Sequence, residues 1–271
     1  MNNILIITSG NVNKIADFAR DGVTLASFND VCYTSEDSKL TLKTGEDIKD
    51  FKVIYFRMVG KSLEVATLVA DYAKQNGVQI VDSMYETTHL LPISLGKALE
   101  MRRLSEKGIR IPKTLFGDFS KLSFPYIVKS TSGQKAREVW MVKNQEELDE
   151  LKKKFEKNKF YFAQELIPDA RRIRVLVVGE KAVGAIVRHT KWNKDNTKET
   201  LNPIPEDIAK LALDSAKAVN LNISGIDILV NSKTDEMYII EANAAPAWKL
   251  INKYCGISVE DEIIKYLQTK I

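Results

Sequence analysis

The chain has 271 residues, 44% of them hydrophobic and 28% charged, and a net charge of +4 from 40 basic and 36 acidic side chains. That length allows one large domain or two to three small ones, and the mild charge balance argues against a nucleic-acid surface. No run reaches the roughly 18 apolar residues of a membrane span, and the opening MNNILIITSG lacks the basic region of a signal peptide. Cys32 and Cys255 have neither CxxC nor zinc spacing, so a reduced, cytoplasmic setting is expected.

Residues 1–85 alternate strand and helix patterns. ILIIT (4–8), VIYFR (53–57) and VQIVD (78–82) are apolar, β-rich runs, and KSLEVATLVADYAKQNG has helical spacing with a stop at Gly77. Such a strand–helix–strand unit implies a parallel sheet with a right-handed crossover. It lacks a GxGxxG fingerprint, so nothing supports a dinucleotide site there. A helix over 94–108 follows, then an extended segment at Pro112 and strands YIVKS (126–130) and EVWMV (138–142). A charged helix spans 144–158, and Lys152, Lys153 and Lys154 read as its solvated face. YFAQELI (161–167) is a strand, 173–189 a hairpin turning at Gly179-Glu180, and 191–207 a polar loop. A helix beginning IAKLALDS leads to SGIDILV (224–230) and MYIIEANAAP (237–246), and VEDEIIKYLQ is a last helix.

Those two late strands carry the strongest chemical signal. If NSKTDE joins them as a hairpin loop, Asp227 comes up beside Glu241, and Asn243, two residues on, shares its face. Two carboxylates and an amide oxygen are hard ligands suited to Mg²⁺. Bare carboxylates this close repel unless a cation neutralises them. The alternative is a pair of exposed hairpin charges.

Order and spacing then point to a family. A helix bearing Lys97 precedes GIRIPKT, YIVK places Lys129 before a small-residue loop, and QELI, IRVLVVG, AIVR, GIDIL and EANAAP follow in turn. Over residues 90–271 the chain resembles ATP-grasp proteins, and within them the RimK-like carboxylate–amine ligases. The resemblance implies an α/β (α+β) ATP-grasp fold, with two antiparallel β lobes and helices around an ATP cleft. It divides the chain into a pre-ATP-grasp domain (1–88), a linker helix with the N-terminal lobe (89–163) and a C-terminal lobe with the metal site (164–271). It further implies an Mg²⁺-dependent ligase, with Mn²⁺ as the alternative metal. ATP would activate a carboxylate as an acylphosphate, and an amine, in an amino-acid-like substrate, a peptide or a protein, would displace phosphate. A homo-oligomer is common among relatives.

Carried over residue by residue, Lys97 and Lys129 match lysines that contact phosphates, and Gly133 lies in the phosphate-covering loop. Gln164, Glu165, Leu166 and Ile167 match the hinge whose backbone reads adenine. Asp227, Glu241 and Asn243 match the metal ligands, and Arg174 and Arg188 match strand arginines facing the site, suited to a two-point clamp on a carboxylate or phosphate. The plain reading of each lysine or arginine alone is a solvated surface charge.

The pattern departs in four places. The loop STSGQKAREV has one glycine where relatives carry two or three, and Lys135 and Arg137 are its candidate compensation. Arg172 stands where relatives place an acidic ribose contact, leaving Asp169 as the substitute. The expected arginine–x–asparagine stretch is not recognisable, and Asn193, Asn196 and Asn202 all remain candidates. After the last ligand the turn reads NAAPAW, where Trp248 is taken as a packing residue. His89 and His189 receive no role. The basic triplet Arg171, Arg172 and Arg174 points to an anionic substrate. Two other functions fit the same residues: an ATP-grasp kinase that stops at phosphoryl transfer, and a nucleotide-binding regulator without turnover.

Overall fold

The computed structural model describes residues 3–34, 39–85, 96–131, 138–157, 159–188 and 199–271. Gly133, Lys135, Arg137, Asn193, Asn196, His89 and His189 lie outside them.

The chain begins with β1 (Ile4–Thr8) and β2 (Val23–Ser27), then a small hairpin of β3 (Val31–Thr34) and β4 (Lys39–Leu42). Next come β5 (Val53–Met58), α1 (Leu63–Gln75) and β6 (Gln79–Val81). Strands β2-β1-β5-β6 form a parallel sheet, as the strand–helix–strand pattern requires. The expected runs at 4–8, 53–57 and 78–82 are its inner strands and one edge; the other edge, VTLAS in β2, went unread because it is short and only half-buried.

Helix α2 (Lys97–Glu106) leads to a small lobe of β7 (Thr114–Phe116), β8 (Tyr126–Ser130), β9 (Val139–Val142), α3 (Gln145–Lys152) and β10 (Tyr161–Glu165). Its antiparallel sheet has the order β7-β10-β8-β9. Helix α3 is shorter than the charged pattern suggested, because only Leu148 and Leu151 give it a buried face. Gln164 and Glu165, read as the start of the next lobe, are the last residues of β10.

The C-terminal lobe contains β11 (Ala170–Val178), β12 (Lys181–Arg188), α4 (Glu206–Ala218), β13 (Ile223–Asn231), β14 (Met237–Asn243), α5 (Lys249–Cys255) and α6 (Val259–Gln268). The β11–β12 hairpin turns at Gly179-Glu180 as expected, and the sheet order is β12-β11-β13-β14. Period-two alternation splits the faces of this sheet. Ile173, Val175 and Val177 face a core shared with α4 and with Leu5, Ile7 and Ile54 of the first sheet. Leu176, Val178 and Ile223 face a second core with α6, Trp248 and Ile4, Ile6 and Tyr55. Beyond Leu176 this second face turns charged, with Arg174 and Arg172 continuing the same row of β11.

Candidate active site

The charged half-face is assembled by strand register. Arg174 stands opposite Asp227, and Asp227 stands opposite Glu241. Asn243 stands opposite Gly225, and Arg172 opposite Arg188. The hairpin geometry expected from the sequence therefore exists, with a register shift just after Asp227. At Gly225 a Cβ would come within 2.9 Å of Pro246 and 3.8 Å of Arg174, so only glycine lets the turn after β14 lie against the site.

Asp227 is 0% exposed. Arg174 holds it in a fork, Nε to Oδ1 at 2.8 Å and an Nη to Oδ2 at 2.6 Å, and Arg172 donates a further Nη–H to Oδ2. Burial alone would raise the Asp227 pKa, but the charges and hydrogen bonds of Arg172 and Arg174 overcome it and hold the carboxyl well below the usual range. Burial likewise opposes the charge on Arg174, and Asp227 more than restores it. Arg172 also lies 3.9 Å from Glu241, whose side chain is 35% exposed, and its Nε is buried without a partner. Arg188 is half-buried; burial, Arg174 and Arg172 all weaken its hold on its proton, and among the described residues none pairs with it. Among the described residues the half-face thus carries one cation more than its carboxylates neutralise.

The donor set of Asp227, Glu241 and Asn243 suits a hard divalent cation. Glu241 is accessible, and the Oδ1 of Asn243 accepts from Ala245 N at 2.8 Å while keeping a second lone pair. Among the described residues no three acidic, histidine or cysteine side chains cluster, so a cation held here would need an amide as its third side-chain ligand. Arg172 brings to Asp227 and Glu241 the positive charge that such a cation would bring.

The opposite wall comes from α2 and the small lobe. Lys129, next to the last residue of β8, donates to the Oε1 of Gln164, whose Nε2 donates to Thr114 at 2.9 Å. Burial, reinforced by the neighbouring charge of Lys97, lowers the Lys129 pKa to about 8. Gln164 is thus a strut for Lys129, while Glu165 is exposed and its backbone N–H donates to Lys113 at 2.9 Å. Ile167 is buried beside them. Asp169 adopts φ 48° and pairs with Lys233 at 2.5 Å, so a ribose contact would need that pair to open.

Two contacts have no counterpart in the sequence reading. Arg57 of β5 donates to Pro246 O at 2.8 Å and lies 4.2 Å over the ring of Trp248, bracing the turn after Asn243 from the first sheet. Trp248 itself is buried, edge-on to Phe18 and bonded to Glu260, which is the packing role expected of it. Glu100 is 3% exposed and accepts from Ala242 N. Its signal was a carboxylate inside the buried stripe that Met101 and Leu104 define on α2.

A family model described as a RimK-like ATP-grasp domain matches residues 100–267. The chain is 25% identical over 193 residues to a probable alpha-L-glutamate ligase of Mannheimia succiniciproducens, covering 65% of this chain and 64% of that protein. It is 24% identical over 192 residues to human N-acetylaspartylglutamate synthase A, covering 64% of this chain and 49% of that protein. It therefore spans 64% and 49% of the length of these two curated relatives. In fold it is similar to the ATP-grasp ligase PsnB, solved with a precursor-peptide variant, Mg and ADP, at a TM-score of 0.75 and 14% identity over 100% of this chain and 99% of that one. Among the described residues no helix is long and apolar enough to cross a membrane.

Proposed function

The chain belongs to the RimK-like ATP-grasp family, and from that premise we propose that it is an ATP-dependent carboxylate–amine ligase acting in the cytoplasm. A substrate carboxylate oxygen attacks the γ-phosphorus of ATP, the bond to ADP breaks, and an acylphosphate forms. An amine nitrogen then attacks the acyl carbon, the C–N bond forms, phosphate leaves with the C–O electrons, and the amine proton passes to solvent. The observation that carries this reading is the half-face where Arg172, Arg174 and Arg188 meet Asp227 and Glu241 within electrostatic reach of Lys129.

In this reading Lys97 and Lys129 hold phosphate oxygens, backbone groups at Glu165 and Leu166 meet adenine, and Asp169 meets ribose. Asp227, Glu241 and Asn243 hold Mg²⁺, which supplies charge neutralisation to the phosphates when bound. Arg174 keeps Asp227 ionised and oriented, and Arg188 offers its guanidinium to the incoming carboxylate. The chain's work is positioning and charge stabilisation. The surplus cation and the names of its relatives, an alpha-L-glutamate ligase and an N-acetylaspartylglutamate synthase, favour an acidic, amino-acid-like or peptide substrate.

The test is incubation with ATP, Mg²⁺, acidic or neutral carboxylates, and amines including glutamate. A ligase releases ADP and phosphate in equal amounts and yields a product of the condensed mass. A kinase releases ADP but leaves a stable phosphorylated product. The hold of Arg172 and Arg174 on Asp227 favours one rival, a regulator that binds nucleotide without turnover. That rival predicts nucleotide binding with no ADP from any pair.

A further inference from the structure

We propose that Glu100 is a positioning residue for the candidate metal ligands, its carboxyl oxygen holding the Ala242 amide and so fixing how Glu241 and Asn243 are presented. This rests on the reading above that those two residues hold Mg²⁺.

Strand β14 is an edge of its sheet, so its outward amides have no strand partner. Two are met from elsewhere. Ile239 N donates to Arg110 O at 2.9 Å, and Ala242 N donates to Glu100 Oε1 at 2.5 Å. The first is an ordinary backbone contact. The second places a carboxyl, 3% exposed, among Met101 and Leu104, where burial of a polar group carries a large cost. Ala242 itself faces the core, while Glu241 and Asn243, on either side, face the site. A displacement of the Ala242 amide therefore swings both ligands. The register shift between β13 and β14 lies one pair away, where the ladder is least able to resist.

The same side chain connects the two walls. Lys97 lies one turn before Glu100 on α2, and Lys97, Lys129 and Glu241 all act electrostatically on its carboxyl. Glu100 thus ties the helix of a phosphate-binding lysine to the strand of the metal ligands.

Two conservative variants separate reach from charge. Glu100→Gln keeps an acceptor oxygen at the same distance, and Glu100→Asp keeps the charge one methylene short. Each is titrated calorimetrically with a non-hydrolysable ATP analogue, once with Mg²⁺ and once with EDTA. The expected order is Gln equal to wild type in both conditions, and Asp weaker with Mg²⁺ by about tenfold or more but unchanged in EDTA. Equal binding by all three proteins, loss in Gln but not Asp, or a loss in Asp that persists in EDTA would each overturn the role. Wild type that binds the analogue equally with and without Mg²⁺ would overturn the metal-site reading itself, and the inference with it.

Discussion

The two antiparallel lobes are each four strands wide, yet they are held in place differently. The small lobe has a core of its own, built on Tyr126, Val128, Val142, Leu148, Leu151 and Ala163. Among the described residues the C-terminal lobe has no private core, because both faces of its sheet share clusters with the first, parallel sheet. Asp82, at the end of β6, strengthens that union by accepting from Asn222 N and Ile223 N at 2.7 and 2.8 Å. The wall with the carboxylates and arginines is therefore packed onto the first sheet, while the wall with Lys129 and Gln164 belongs to a lobe with its own core. A cleft that must admit and then enclose a nucleotide needs one wall of each kind.

Core truncation breaks this comparison most severely. Ile173→Ala, in the shared cluster, should lower global stability by about 2–5 kcal/mol, seen as a shift of the main unfolding transition. Leu148→Ala should cost a similar amount within the small lobe alone, seen as an early, separate loss of amide protection at β8 and β9 with the main transition unmoved. One transition shifted equally by both variants would show that the lobes are not independent.

Next in size is the charge on the small lobe's wall. Lys129→Met should weaken binding of an ATP analogue by about tenfold to a hundredfold, the worth of a charge-assisted contact. Bound phosphate favours the ammonium, so wild-type affinity should be full below the Lys129 pKa of about 8 and fall as pH rises through it. Lys129→Met should lack that fall, and a variant with the same pH profile as wild type would remove Lys129 from the phosphate site.

The smallest effect concerns the union with the first sheet. Burial pushes the Asp82 pKa from 3.8 up to about 7, and its Oδ2 has no partner. The folded state thus binds the proton more tightly than the unfolded one. The stability tied to this group is complete below pH 3.8, declines as pH rises toward 7, and is lost above it. Asp82→Asn keeps an acceptor for Asn222 and Ile223 without the buried charge. It should be about 1 kcal/mol more stable than wild type at pH 8, with the gain vanishing near pH 4, by denaturant unfolding. Lower stability at pH 8 would show that the charged form is the one the union needs.

What could be read from sequence was what is local and periodic. Strands β1, β5, β8, β13 and β14 show period-two or continuous apolar runs, and the pairing of Asp227 with Glu241 follows from one hairpin. Helix α5 was missed because it is one short segment without a side-chain cap. The arginine hold on Asp227 was missed for a different reason. It needs β11 to lie beside β13 rather than only beside its hairpin partner β12, and strand order is a non-local fact. Glu100 and Arg57 likewise act on residues 142 and 189 positions away, through docking that no local pattern encodes.

The central claim, that the wall packed onto the first sheet holds a metal-dependent nucleotide site, is tested most directly by calorimetric titration of a non-hydrolysable ATP analogue into wild type and Glu241→Ala, each with and without Mg²⁺. The account predicts binding that strengthens with Mg²⁺ in the wild type and loses that strengthening in Glu241→Ala. Equal binding by both proteins, with the same response to Mg²⁺, would contradict it.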